Sequence, residues 1–269
     1  MKPIRQFARD WTPPILRRWA RRMAARHGYS GDFGAWAEAR AISHGYDEPV
    51  IFEKALAATC AVRDGRVAWE RDSVTFAAPE AHWPLLACLQ RAASAGGARL
   101  RVLDFGGAFG SAWWQHRSWL SEFEVQWAVV EQAHMVEAGR REFANGTLQF
   151  FETMDAACAE GQPAVILLSS VLPYLESPHA LLADVAQRGF RYIIIDRMGF
   201  VPGERDRLTV QRVPPVIYDA SYPCWFFARA GVLHHFAGDY RLVAEWPGFD
   251  EAGIAAEFRG FFLERISMR

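Results

Sequence analysis

From Leu100 onward the chain alternates short apolar runs with stretches of helical period. Residues 100–105, 125–130, 148–151, 164–168 and 192–195 are each of strand length, and segments with a 3.6-residue repeat separate most of them. That alternation predicts a parallel sheet wound with crossover helices. Two later runs, 240–246 and 260–266, leave little room for a helix between them, so they read as an antiparallel hairpin that closes a seven-stranded α/β sheet. Before the sheet the pattern differs. Residues 29–95 read as mostly helical, with 36–42, 52–62 and 83–93 as the helices and Asp64-Gly65 as a turn. Ala95-Gly96-Gly97-Ala98 reads as a linker, which divides the chain into an arm (1–28), a helical cap (29–97) and the sheet domain (98–269).

Composition sharpens the picture only in the arm. The 269 residues are 51% hydrophobic and 23% charged, as in a globular chain with a full core, and the formal net charge is −1. Residues 1–26 hold eight basic side chains against Asp10 alone, a net +7, which leaves 22 basic and 30 acidic residues in the remainder, a net −8. After Pro13-Pro14 the arm places Ile15, Leu16, Trp19 and Met23 on one helical face and Arg17, Arg18, Arg21 and Arg22 on the other, with Gly28 as the stop. An amphipathic helix of this kind either lies on an anionic membrane surface or docks on its own domain. No basic stripe interleaved with aromatics follows it, which argues against nucleic acid as a partner. The four cysteines lie far apart without metal-ligand spacing, so neither a metal site nor a disulfide framework is expected. No apolar run is long enough to span a bilayer and no signal-peptide core is present, so a cytoplasmic location is expected, peripheral at the inner face of the cell membrane if the arm lies on lipid and not on its own domain.

The chemistry concentrates after the first strand of the sheet, in Asp104-Phe105-Gly106-Gly107-Ala108-Phe109-Gly110. Glycines between a strand and a helix let backbone approach a ligand at the carboxyl edge of an open α/β sheet. Glu131 ends the next strand, 21 residues after Gly110, where an acid accepts hydrogen bonds from a ribose diol. The turn does not match G-x-G-x-x-G, so a nicotinamide dinucleotide, and with it an oxidoreductase, is the weaker reading.

The turn resembles motif I of class I S-adenosylmethionine (SAM) methyltransferases, with Asp104 as the acid and Gly106 and Gly110 as the spaced glycines. Ala108 stands where the family has its middle glycine, and its methyl group crowds the methionine part of the cofactor. The blocks DFGGAFGS, VVEQ, LLSSVLPYLESP, YIIIDR and VPPVIYDASYPCW together resemble a family of methyltransferases encoded with bacterial surface-polysaccharide (O-antigen or capsule) genes. The resemblance covers most of the chain. It implies a Rossmann-like seven-stranded fold, SAM as cofactor, and a sugar or surface-glycan precursor as acceptor. A non-catalytic scaffold of glycan assembly built on the same fold is the alternative.

Methyl transfer from a sulfonium needs alignment and, for a hydroxyl acceptor, removal of a proton. Asp104, Gly106, Gly107, Gly110, Glu131, Ser169 and Ser170 are the candidates for the cofactor, at or near the strand ends. Asp196 and Arg197, after the fifth strand, are the leading acid/base or substrate-orienting pair, with Tyr222 beside them in the catalytic set. The stretch 199–225 reads as a long substrate loop. It supplies Tyr218 and Asp219, to which Tyr174 and the outlying pair Arg71-Asp72 are added as acceptor contacts. His116 lies just beyond the glycine turn among tryptophans that read as core, and His234-His235 read as the end of a helix.

Overall fold

The computed structural model describes residues 28–44, 49–214, 217 and 219–266. The basic arm and the helix expected in it lie outside the described residues, as does Tyr218. Strands β4 (Arg99–Phe105), β5 (Glu124–Val130), β6 (Leu148–Phe151), β7 (Val165–Ser169) and β8 (Tyr192–Val201) form the parallel core in the order β6-β5-β4-β7-β8. β12 (Glu257–Arg265) pairs antiparallel with β8 and β11 (Tyr240–Pro247) pairs antiparallel with β12. All seven strands expected from the hydrophobic pattern are present, in the doubly wound, Rossmann-like order.

The pleat explains why β7 and β8 read as unbroken apolar runs. Val165, Leu167 and Ile194 face a core that α3 (Trp83–Ala95) covers with Leu85, Leu86 and Leu89. Ile166, Leu168, Ile193 and Ile195 face the opposite side, covered by Leu182 and Val185 of α7 (Pro178–Arg188). A strand buried on both faces has no polar alternation to display. Each of these fully buried side chains contributes roughly 1.5–3 kcal/mol by leaving water.

Two expectations are corrected. Residues 29–97 hold helices α1 (Trp36–Ala41), α2 (Pro49–Arg63) and α3, but they also hold β1 (Gly28–Phe33) and the hairpin β2 (Trp69–Arg71) and β3 (Val74–Phe76). Gly28 opens a strand. The stretch 199–225 is not an irregular loop: β8 continues to Val201, and β9 (Arg207–Arg212) and most of β10 (Ser221–Ala228) follow. β1, β9 and β10 form an antiparallel annex, joined to the main sheet where Phe227 and Ala228 run parallel to Phe200 and Val201. Leu208 and Val210 alternate onto Ala39 of α1, which is the pattern that specifies the strand. Pro223 hid it, because a proline argues against a central strand; here only β9 flanks that part of β10.

The remaining helices are α4 (Ser111–His116), α5 (Ala133–Glu142), α6 (Met154–Ala159) and α8 (Arg229–His234). Among the described residues no helix is long and apolar enough to cross a membrane.

Candidate functional site

The carboxyl ends of β4, β5, β7 and β8 open into a cavity of about 750 Å³. α2, the β2–β3 hairpin and the annex complete its walls, so it is enclosed by segments from most of the chain.

One end is the glycine turn. Gly106 and Gly110 have φ of +72° and +84°, and Ala108 between them has φ +50°, a left-handed conformation that an alanine adopts only at a cost. A Cβ at Gly107 would lie 2.5 Å from the Asp104 carboxylate, so the turn packs directly on that acid. Asp104 is buried and accepts a hydrogen bond from Trp127 Nε1 (3.0 Å). Burial, aided by Glu131, pushes its carboxyl up to about 7, against the lowering effect of the Trp127 bond. Glu131 binds the turn from the next strand: Oε1 accepts from the Ala108 N–H (3.1 Å) and Oε2 from the Gln132 N–H (3.0 Å). Each carboxylate oxygen keeps a further lone pair for a ligand hydroxyl. Burial raises its pKa, and the two amide bonds oppose the shift. Gly110 does not line the cavity; it caps α4 and packs against Leu148.

The other end lies over β7 and β8. The two strands stay paired through Ser169 and Asp196, after which Arg197 takes φ +53° and β8 turns toward the annex. Asp196 is buried at 1% exposure. Its Oδ1 accepts from His82 Nε2 (3.1 Å) and Trp246 Nε1 (3.0 Å), and its Oδ2 from the Ser169 hydroxyl (3.4 Å). Burial alone would push this carboxyl up, but His82, Arg197 and Trp246 outweigh it and hold it below the ordinary carboxylate range. An ionised carboxylate can only accept, so His82 carries its proton on Nε2 and presents Nδ1 as a base. No described residue bonds that Nδ1.

His82 is held from behind as well. Its backbone N–H donates to His116 Nε2 (3.1 Å), whose Nδ1–H donates to the Ala112 carbonyl (2.7 Å). Burial lowers the His116 pKa to about 4, so it stays neutral and structural. His116 does not line the cavity.

Arg197 is clasped. It donates to Asp72 Oδ2 (2.5 Å) from the two-residue β2–β3 turn and to Asp250 Oδ2 (3.3 Å) from the β11–β12 connection. Burial would lower its pKa, yet the two carboxylates raise it above the ordinary value, so it is a fixed cation and not an acid or base. Asp72 and Ser73 take φ of +51° and +67°, the signature of a tight hairpin turn. Glu70, buried at 3% exposure, binds the Ser111 hydroxyl at the start of α4 and the Ser73 N–H (3.3 Å). Burial pushes its carboxyl up to about 7. The hairpin thereby ties the glycine-turn helix to the Arg197 clasp.

Of the residues singled out in the sequence, Asp104, Gly106, Gly107, Glu131, Ser169, Ser170, Asp196, Arg197, Tyr222, Tyr174, Arg71 and Asp72 all meet at this cavity. Tyr222 lies edge-on to Tyr174 (5.2 Å between centroids), whose hydroxyl donates to Gln211 Oε1 (2.9 Å). Asp219 is exposed and does not line the cavity, although Pro214 and Ile217 near it do. His235 pairs with His179 (2.8 Å), which binds Asp206 (2.6 Å), and none of the three lines the cavity. His82, Glu70 and Tyr29 belong to the site and were not among the sequence candidates. No spacing in the sequence ties residue 82 to residue 196; only the position of His82 just before a helix beginning Trp83-Pro84 marks it. Among the described residues no group of three or more His, Cys, Asp or Glu side chains can hold a metal ion.

The fold and site define a Rossmann-like α/β protein with a ligand cavity at the strand carboxyl ends. No protein-family profile matches the chain, and no curated protein matches it. Solved structures resemble it. The N-terminal domain of EvdMO1, crystallised in the presence of SAH and D-fucose, is 16% identical with a TM-score of 0.46, covering 83% of this chain and 99% of that one. The 1,6-didemethyltoxoflavin-N1-methyltransferase of Burkholderia thailandensis is 14% identical, with a TM-score of 0.40 and coverage of 89% and 94%. CalS10, an amino pentose methyltransferase from Micromonospora echinaspora, is 13% identical, with a TM-score of 0.41 and coverage of 67% and 90%.

Proposed function

We propose that the protein is a SAM-dependent methyltransferase that O-methylates a sugar or surface-glycan precursor. The observation that carries this reading is the His82–Asp196 dyad in the same cavity as the glycine turn. A base with a fixed tautomer is what a hydroxyl acceptor requires, and a close-packed glycine turn with an acid on the next strand is what a nucleoside cofactor requires. The residues present fit SAM: Gly106 and Gly107 line the cavity with a bare turn whose Cβ directions Val171 and Asp104 already fill, and Glu131 retains acceptor capacity for a ribose diol. When bound, SAM supplies an electrophilic methyl group on a positive sulfonium.

The protein's own residues do the rest. Asp196 orients His82 through Nε2, and His82 Nδ1 would take the proton of an acceptor hydroxyl placed to receive the methyl group. The resulting imidazolium is stabilised by the Asp196 carboxylate, whose ionisation is already secured. Arg197, fixed by Asp72 and Asp250, forms a wall of the cavity beside that proton transfer.

Calorimetric titration tests the reading. SAM and its demethylated product bind, NAD does not, and methyl transfer to a sugar acceptor releases the demethylated product. Absence of heat at millimolar SAM overturns the assignment. In the same reading residues 29–97 act as the cap of the catalytic domain at 98–269, in a pathway such as O-antigen or capsule synthesis in the cytoplasm, and the basic residues 1–26 contact an anionic membrane surface. Equal flotation of the intact chain and of one lacking 1–26 with anionic vesicles removes that last contact from the account.

A further inference from the structure

We propose that Arg71 is an oxyanion subsite at the dyad end of the cavity, so that the acceptor carries a carboxylate or a phosphate group. The inference rests on the methyltransferase reading only in calling the bound molecule an acceptor; the subsite itself stands on geometry.

Arg71 closes β2 and lines the cavity. Its guanidinium carbon lies 4.0 Å from the centroid of Phe249, and 5.5 and 5.7 Å from those of Trp69 and Phe76, which stack on each other. Cation–π contacts use ring faces and leave the guanidinium's five in-plane N–H groups unspent. Among the described residues no carboxylate, carbonyl or hydroxyl accepts from them, although Arg71 is partly buried.

Of the nearby acids, Glu80 makes no hydrogen bond to Arg71 among the described residues, and the others are engaged elsewhere. Asp72 and Asp250 bind Arg197, Asp196 binds His82 and Trp246, and the two Glu70 oxygens take Ser111 and Ser73. Two arginines therefore stand on one wall: Arg197 is saturated by two carboxylates and Arg71 by none. Burial and the neighbouring Arg197 cation lower the Arg71 pKa and outweigh the attraction of Asp72, Asp250 and Glu80, none of which accepts a hydrogen bond from it. A half-desolvated fork with free donors is complementary to a planar carboxylate or to two phosphate oxygens, bound bidentately.

The test measures binding of matched probes to the full chain at constant ionic strength, with and without S-adenosylhomocysteine. Glucuronate, glucose 6-phosphate and inorganic phosphate are compared with neutral glucose. The wild type prefers at least one anion over glucose by about tenfold or more, as expected for hydrogen bonds to a charged group. Which anion wins distinguishes a carboxylate from a phosphate source. Arg71→Gln loses the preference while its affinity for S-adenosylhomocysteine is unchanged, and Arg71→Lys, which keeps the charge without the fork, retains part of it. If Arg71→Gln does not fold, Arg71→Lys carries the comparison. No anion preference in the wild type, or an undiminished one in the folded variants, overturns the proposal. Failure of the cofactor to bind would instead overturn the methyltransferase reading and leave the anion measurement interpretable.

Discussion

The two ends of the cavity are built by different means. The glycine-turn end comes from one continuous stretch, β4 to α5, and is mostly backbone: positive φ angles, amide donors and an acid packed beneath a glycine. The dyad end is mostly side chains, drawn from residues 70–82, 169–174, 196–222 and 246–250. Backbone geometry is dictated locally and tolerates few residue types. A side-chain constellation depends on the placement of distant elements, and single substitutions can dismantle its chemistry while the fold stays intact.

The comparison is broken most severely at His82. His82→Ala should lower turnover by about 10²- to 10⁴-fold, the range for loss of a general base, and leave cofactor affinity nearly unchanged. Separate measurement of kcat and of S-adenosylhomocysteine binding checks this, and a parallel fall in both would show that the two ends are not independent. Gly107→Ala attacks the opposite end. Its new Cβ would sit 2.5 Å from the Asp104 carboxylate, so overpacking should cost about 1–3 kcal/mol in stability and weaken the cofactor first, read by denaturant unfolding and calorimetry.

Glu70 joins the two ends, and its titration sharpens the contrast. Burial lifts its carboxyl from 4.5 to about 7, so between those pH values the folded protein holds a proton that the unfolded chain has released. Stability therefore falls as pH rises from about 4.5 to 7. Glu70→Gln titrates in neither state and should gain on the wild type across that window by about 1–3 kcal/mol, seen as converging, then crossing, unfolding midpoints. The smallest effect is expected at Ala108, where φ is +50°. Ala108→Gly should relieve the left-handed strain and stabilise the protein by up to about 1 kcal/mol, with cofactor binding equal or tighter.

The same contrast explains what could be read from the sequence. Asp104, the glycines and Glu131 are legible because they recur at fixed offsets from a strand, and the β7 and β8 runs because both faces are buried. Asp196 is legible as a strand-end acid, but the sequence pairs it with its neighbour Arg197. In space the neighbour turns away to Asp72 and Asp250, and His82 arrives from 114 residues upstream. β9 and β10 were missed because Pro214-Pro215 and Pro223 carry the composition of a loop, although Leu208 and Val210 keep the period of a strand.

β12 enters the sheet between β8 and β11, not at its edge. That places a constraint on the order of folding. The parallel strands β4 to β8 can pair while the chain is still being synthesised, but β11, which carries Trp246 to Asp196, has no strand to pair with until residues 257–265 emerge and insert beside β8. Such a late, long-range closure is slow relative to local contacts. A nascent chain would thus complete its glycine turn before the Trp246 bond that finishes the dyad end.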